Sequence, residues 1–264
     1  MPVNDLHTYA ISAYKESEYL EDCILSLKNQ TVQTNLVMTT STPCDHIINL
    51  AKKYDIPLYI KESGSDIRDD WNFAYNHAGT PWVTIAHQDD LYDPHYVEEL
   101  LAKIREVPDA VAFVTDYIPI KHGVVGERDI NSKIRHFLRT PLKSTTLSRS
   151  KFWKRAVISL GNSICCPSVS YNKAVLGDSF FTSDLKYDID WDTFHKISGL
   201  DGAFAYVDKP LTFYRVHEGA TSMEWINNHT RELDDTVMFR KFWPGWVTRI
   251  LMHFYKKAYV TYQD

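Results

Sequence analysis

The first 120 residues alternate between two hydrophobic periods. Short apolar runs of strand type are "HTYAISA" (7–13), "NLVMTT" (35–40), "PLYIKE" (57–62), "WVTIA" (82–86) and "AVAFVTDYIPI" (110–120). Between them the period lengthens to that of a helix. Leu20, Cys23, Ile24 and Leu27 share one face, "HIINLAKKY" (46–54) and "DDWNFAYNHA" (69–78) follow, and Val97, Leu100, Leu101 and Ile104 form a stripe behind Asp93 as N-cap and Pro94 at the first helical position. Strand and helix in alternation predict an α/β fold with a parallel sheet and helices on both faces.

The second half is less regular. Residues 135–157 are basic and read as part loop, part helix, and "WDTFHKISGL" (191–200) reads as a short helix. "FAYVDKPLTFYRVH" (204–217) reads as two short strands split by Asp208, Lys209 and Pro210. Trp243, Trp246, Val247, Ile250, Leu251, Phe254 and Ala258 recur at helical spacing and predict one amphipathic helix. No repeat or clear linker divides the chain, so one α/β domain with a helical C-terminal extension is expected.

Composition narrows this picture. With 44% hydrophobic and 24% charged residues the 264-residue chain reads as an ordinary globular protein. A net charge of −5 argues against general nucleic-acid binding, which needs a basic footprint. Cys23, Cys44, Cys165 and Cys166 show no C-x-x-C spacing, which suggests reduced thiols in a cytoplasmic setting and no zinc site. The N-terminus lacks a signal-like pattern, and no apolar run reaches the length of a spanning helix. From Arg240 to Asp264 five basic residues face one acid, so the tail is positive within a negative chain.

Three clusters carry candidate chemistry. In "IAHQDDLYDP" (85–94) a strand-like run ends in Asp89 and Asp90. Ligands of open parallel sheets gather at the carboxyl ends of strands, and adjacent carboxylates there suit Mg²⁺ or Mn²⁺; a solvated loop with two acids is the plain alternative. In "YDIDWDTFHKI" (187–197) the alternating acids fit a helix N-terminus, or a general base shielded beside Trp191. In "YRVHEGATS" (214–222) a strand ends in His217, a candidate metal or phosphate contact, or simply a surface residue.

Together, "YAISAYKESEYLEDCILSLKNQT" (9–31), "DDWNFAYNHAGTPWVTIAHQDDLYDPHYVEELL" (69–101) and "YDIDWDTFHKISGLDGAFAYVDKPLTFYRVHEGATS" (187–222) resemble, in order, the blocks of family 2 glycosyltransferases. The resemblance implies a GT-A fold: a Rossmann-like, mixed but mainly parallel sheet flanked by helices. It places the catalytic domain at 1–222 and a helical extension at 223–264. It implies inverting transfer of a sugar from a nucleotide diphosphate, UDP first, to a hydroxyl of a glycan, glycoprotein or lipid-linked acceptor. By the resemblance, Ser12, Tyr14, Glu16, Asn72, Asp89 and Asp90 bind the donor. Asp90 and His217 hold Mn²⁺ or Mg²⁺, Asp190 is the general base, and Trp191 borders the acceptor.

Several positions depart from the family pattern. Thr39, Thr40 or Ser41 stand where an Asp usually reads uracil, His87 or Gln88 replaces the first acid of the Asp-x-Asp motif, Trp71 replaces an Arg before Asn72, and Ile189 replaces a Glu before Asp190. A catalytically silent binding module is the main rival reading. A sugar nucleotidyltransferase is disfavoured because "SAYKESEY" (12–19) has no Gly-rich phosphate loop. For the basic tail, docking on its own domain or pairing with a second copy is the first expectation, and peripheral contact with the inner membrane face the second. The loop 121–149 and "GNSICCPS" (161–168) are expected to shape the acceptor pocket.

Overall fold

The computed structural model describes residues 5–62, 64, 66–121, 123–126, 128–217 and 230–257. Its elements run β1 (His7–Ala13), α1 (Leu20–Lys28), β2 (Asn35–Thr40), α2 (Asp45–Lys53), β3 (Leu58–Ile60), α3 (Ile67–His77), β4 (Trp82–His87), β5 (Leu91–Tyr92), α4 (Tyr96–Glu106) and β6 (Ala110–Lys121). They continue with β7 (Val124–Val125), α5 (Ile130–Leu138), α6 (Lys151–Ala156), β8 (Val169–Asn172), α7 (Lys173–Leu176), α8 (Ile189–Ser198), β9 (Ala203–Val216), α9 (Thr230–Phe242) and α10 (Gly245–Tyr255).

Among the described residues the strands form one sheet in the order β3-β2-β1-β4-β8-β6-β9-β5, with β7 paired to β6. β1, β2, β3 and β4 pair in parallel, as do β6 and β9. β8 runs antiparallel to both β4 and β6 and joins the two parallel halves. The fold is therefore α/β with a mainly parallel sheet flanked by helices, as the alternating periods predicted.

Parallel strands covered on both faces are apolar throughout, and successive side chains go to opposite faces. In β1, Tyr9 and Ile11 pack with α1, α2 and α4, whereas Ala10 joins the cluster that contains α3 and α8. His7 is fully buried in this strand, with Nε2 2.8 Å from the Thr84 hydroxyl and Nδ1 3.0 Å from that of Thr34. Burial lowers its pKa to about 3, so the imidazole is neutral.

Two expectations are corrected. Residues 204–216 are not two strands but part of one 14-residue strand, β9, and His217 follows its end. Asp208, Lys209 and Pro210 form an irregularity within it, where the register to β6 shifts around Asp116 and Pro210. Proline lacks the N–H a regular ladder needs and is tolerated at such a bulge. The tail is likewise two helices, because Pro244 cannot continue α9 and caps α10 instead. Ala258 lies outside the described residues.

Met238, Phe239 and Met252 of the two C-terminal helices are buried in the same cluster as Ile85, Val111 and Trp191. The Trp243 indole N–H donates to the Ser159 carbonyl at 2.7 Å. The described part of the extension, residues 230–257, thus docks on its own domain. Among the described residues no helix is long and apolar enough to cross a membrane.

Candidate active site

The strand ends supply the first wall of the cleft. Ser12 of β1 lies in register with Thr39 of β2 and His87 of β4. The exposed turn that follows holds Tyr14, Lys15 and Glu16, with Lys15 left-handed at φ 55°. Gln88 fastens this turn to the next strand end. Its side chain accepts from the Tyr14 N–H at 2.9 Å and donates to the Tyr14 carbonyl at 2.9 Å. The segments 12–16 and 87–90 therefore form one rim, as their places at neighbouring carboxyl ends required.

Residues 87–90 close a turn in which the Asp90 N–H reaches the His87 carbonyl at 3.2 Å. Asp90 is fully buried; Oδ1 accepts the Arg215 N–H at 2.9 Å and Oδ2 has no hydrogen-bond partner. Burial, then the charge of Asp89, push its carboxyl well above the usual range. Asp89 is partly exposed, and its Oδ2 lies 3.1 Å from His217 Nε2. Arg215 Nε donates to the Asp89 carbonyl at 2.9 Å, and its guanidinium stacks over Tyr19. The Tyr-Arg-x-His stretch at the end of β9 thus grips the acidic turn from the side opposite β4.

Of the expected metal pair, Asp90 and His217, the latter contacts Asp89 at 3.1 Å, and a second imidazole, that of His87, lies 3.8 Å from Asp90 Oδ2. His87 stacks on Trp71, with ring centroids 5.3 Å apart, and burial lowers its pKa. Ligand atoms of His87, Asp89 and Asp90 lie within 4.8 Å of one another, and His87 Nε2 and Asp90 Oδ2 are both buried without a hydrogen-bond partner. Two carboxylates and a neutral imidazole with such unspent atoms fit a divalent cation. A second His/Asp group, Asp116 with His136 and Asp208, is already committed to ion pairs with Arg128, Arg139 and Lys143.

The candidate general base sits at the N-terminus of α8 (Ile189–Ser198). Asp190 Oδ1 accepts the Trp191 N–H at 2.7 Å and Oδ2 accepts from the Asn162 amide at 2.8 Å. Burial raises its pKa to about 6, against the lowering effect of these bonds and of Arg135. Cys165, partly buried, is pushed well up by burial, then by the charges of Asp90 and Asp190. One thiol therefore feels both carboxylates. All four cysteines are free.

One expectation is corrected: Trp191, expected at the acceptor side, faces the core. It is fully buried, donates to the Ile158 carbonyl at 2.9 Å and packs edge-on against Phe239 of α9. Asn72 is engaged at both ends of its amide by the Phe181 backbone, at 2.8 and 3.1 Å, so it braces the 181 loop.

Gln88, Arg215, Asn162 and Cys165 escaped the sequence reading. "YRVH" and "GNSICCPS" had both been singled out as segments, but nothing in either stretch marks which side chain faces a carboxylate. From the 121–149 stretch, Gly126, Arg128, Lys133 and His136 line a groove of about 570 Å³ with Ile118 and Pro210. Glu218–Ser222, the end of the third motif block, lie outside the described residues.

Residues 8–169, more than half of the chain, match the family model for glycosyl transferase family 2. No curated protein matches the sequence with significance. Among solved structures, S. aureus TarS (residues 1–349) in complex with UDP-GlcNAc is 16% identical, with TM-score 0.65 over 94% of this chain and 70% of that one. The mannosyltransferase PcManGT from Pyrobaculum calidifontis, in complex with GDP-Man and Mn²⁺, is 14% identical, with TM-score 0.60 over 91% of this chain and 64% of that one. Likenesses at such low identity speak for the fold, while the family rests on the sequence match. The chain belongs to glycosyl transferase family 2 and is a glycosyltransferase.

Proposed function

We propose that the chain transfers a sugar from a nucleoside-diphosphate donor, UDP-linked as first candidate, to an acceptor hydroxyl with inversion at the anomeric carbon. The observation that carries this reading is that the charges of two carboxylates far apart in sequence, Asp90 and Asp190, both reach the Cys165 thiol. Structures of the same fold hold UDP-GlcNAc in TarS and GDP-Man with Mn²⁺ in PcManGT, which supports a nucleotide-sugar donor.

Ser12, Tyr14 and Glu16 form the rim on which the base and ribose rest, with Asp89 at its inner end. His87, Asp89 and Asp90 would hold Mn²⁺ or Mg²⁺, and His217 orients Asp89. When bound, the ion supplies positive charge against that building on the leaving diphosphate. Asp190, with a pKa of about 6, is ionised near neutral pH and accepts the acceptor's hydroxyl proton. The acceptor oxygen bonds to the anomeric carbon as the carbon–oxygen bond to the diphosphate breaks on the opposite face. The acceptor is a glycan, a glycoprotein or a lipid-linked sugar.

The test is nucleotide release from UDP- and GDP-sugars with Mn²⁺, for the native chain and Asp190→Asn, alongside thermal shift with the same donors. Release by the native chain, lost in the variant while donor binding persists, is the expected result. Donor binding with no release by the native chain would assign a silent binding module instead.

A further inference from the structure

α10 uses only one of its sides for packing. Thr248 and Met252 are buried, and Leu251 and Tyr255 pack partly buried on the main core. On the other side Trp246, Ile250 and Phe254, four residues apart and hence in one row, are 66%, 50% and 62% exposed. Arg249, His253 and Lys257, all exposed, run beside them, and the Lys257 ammonium lies 5.5 Å from the centre of the Phe254 ring. From Trp243 to Lys257 the chain has no acidic residue. Glu232 of α9 answers Lys256, and among the described residues no acid pairs with Arg249 or Lys257.

We propose that this face of α10 rests on an anionic lipid surface. A tryptophan and a phenylalanine flanked by cations match the boundary between headgroups and acyl chains, where an amphipathic ring meets water on one edge and hydrocarbon on the other. Charge decides against a second copy of the chain as occupant. A two-fold contact sets identical patches against each other, so Arg249 and Lys257 would meet the same cations with no acid to answer them. Anionic headgroups supply the missing charge. The helix has 11 residues, too few to span, so it lies in the surface plane.

The opposite side of the same helix ties this contact to the cleft. Tyr255 lies so close over Gly161 that a Cβ there would be 2.7 Å from its ring, and the next residue, Asn162, holds Asp190. The lipid-facing row and the carboxylate therefore belong to one corner of the molecule. An acceptor anchored in that surface would arrive beside Asp190.

The test is flotation of the whole chain with vesicles of phosphatidylcholine alone and of phosphatidylcholine mixed with phosphatidylglycerol. The protein is expected to float with the mixed vesicles only. Arg249→Glu or Lys257→Glu should each lower the bound-to-free ratio by about fivefold or more. The triple variant Trp246→Ser, Ile250→Ser, Phe254→Ser should abolish flotation while its melting curve and its release of nucleotide in solution stay native, because these side chains are exposed. Absence of flotation, equal flotation with neutral vesicles, or full flotation of the triple variant would overturn the proposal. So would a native dimer that the triple variant converts to monomer, because the row would then be a contact between copies.

Discussion

The side-chain amide of Asn162 donates to Oδ2 of Asp190 at 2.8 Å. A hydrogen bond to a carboxylate favours its charged form, so this contact opposes the burial that raises the Asp190 pKa to about 6. A general base works only when ionised. kcat/KM is therefore expected to rise with pH along a limb near 6 and to level off above it, as a pH–rate profile with a saturating donor would record. A rate independent of pH through this range would remove Asp190 from the role.

Asn162→Ala should move that limb to higher pH. The variant is expected to lose about tenfold in rate below the limb and little well above it, where the carboxylate is ionised without help. An equal loss at every pH would mean that Asn162 acts on packing and not on the charge of Asp190.

Asp190→Asn should lower kcat by about 10²–10⁴-fold and leave donor affinity intact. Its stability should respond with a definite sign. The pKa of Asp190 is raised from 3.8 to about 6, so the folded state binds the proton more tightly than the unfolded state. The resulting stabilisation is complete below 3.8 and is lost as pH rises through 6. Asparagine has no such charge to bury. The variant is expected to be more stable than the native chain in alkaline buffer, by at most about 3 kcal/mol, and to show no advantage in strong acid. Urea melts at the two extremes measure both.

Removing the cation should weaken nucleotide binding, and the acidic turn should report which groups hold it. Asp89→Ala is expected to abolish the Mn²⁺-dependent part of nucleotide affinity. His217→Ala, which only frees Asp89 from its partner, should weaken that part by about tenfold. In EDTA both variants should bind nucleotide as the native chain does, by calorimetry. A variant that matches the native chain in Mn²⁺ would separate the turn from metal binding.

Asp234 of α9 accepts the backbone N–H groups of both Lys186 and Tyr187 at 2.7 Å, just before the helix that carries Asp190. Asp234→Ala leaves two part-buried donors without a partner and should cost about 1–3 kcal/mol. Because that loop leads into Asp190 and not into the donor rim, kcat should fall while donor affinity holds. A loss confined to donor affinity would contradict this link.

The alternation of periods made the sheet and its flanking helices legible in the first half, because strands buried on both faces and amphipathic helices announce themselves by spacing alone. Asp89, Asp90 and Asp190 stood out as candidates only through the ordered family blocks, because a carboxylate at a loop or helix start also has plain reasons to be there. What spacing could not reveal was partnership across long separations. His217 meets Asp89 and Arg215 meets Asp90 across more than 120 residues of sequence, which no local pattern could announce. Trp191 follows the base in sequence, but a helical step of about 100° carries it to the other side of α8, into the core. β8 escaped because four residues are too few to show a period.

That four-residue strand has a consequence for anyone who works with fragments. Among the described residues β8 bridges β4 to β6, and the stretch matched by the family model ends at its first residue, Val169. A polypeptide trimmed to that stretch would keep β4 and β6 but lose β8 between them and β9 beyond, leaving raw sheet edges open to intermolecular pairing and aggregation. Only the longer chain should survive as a monomer.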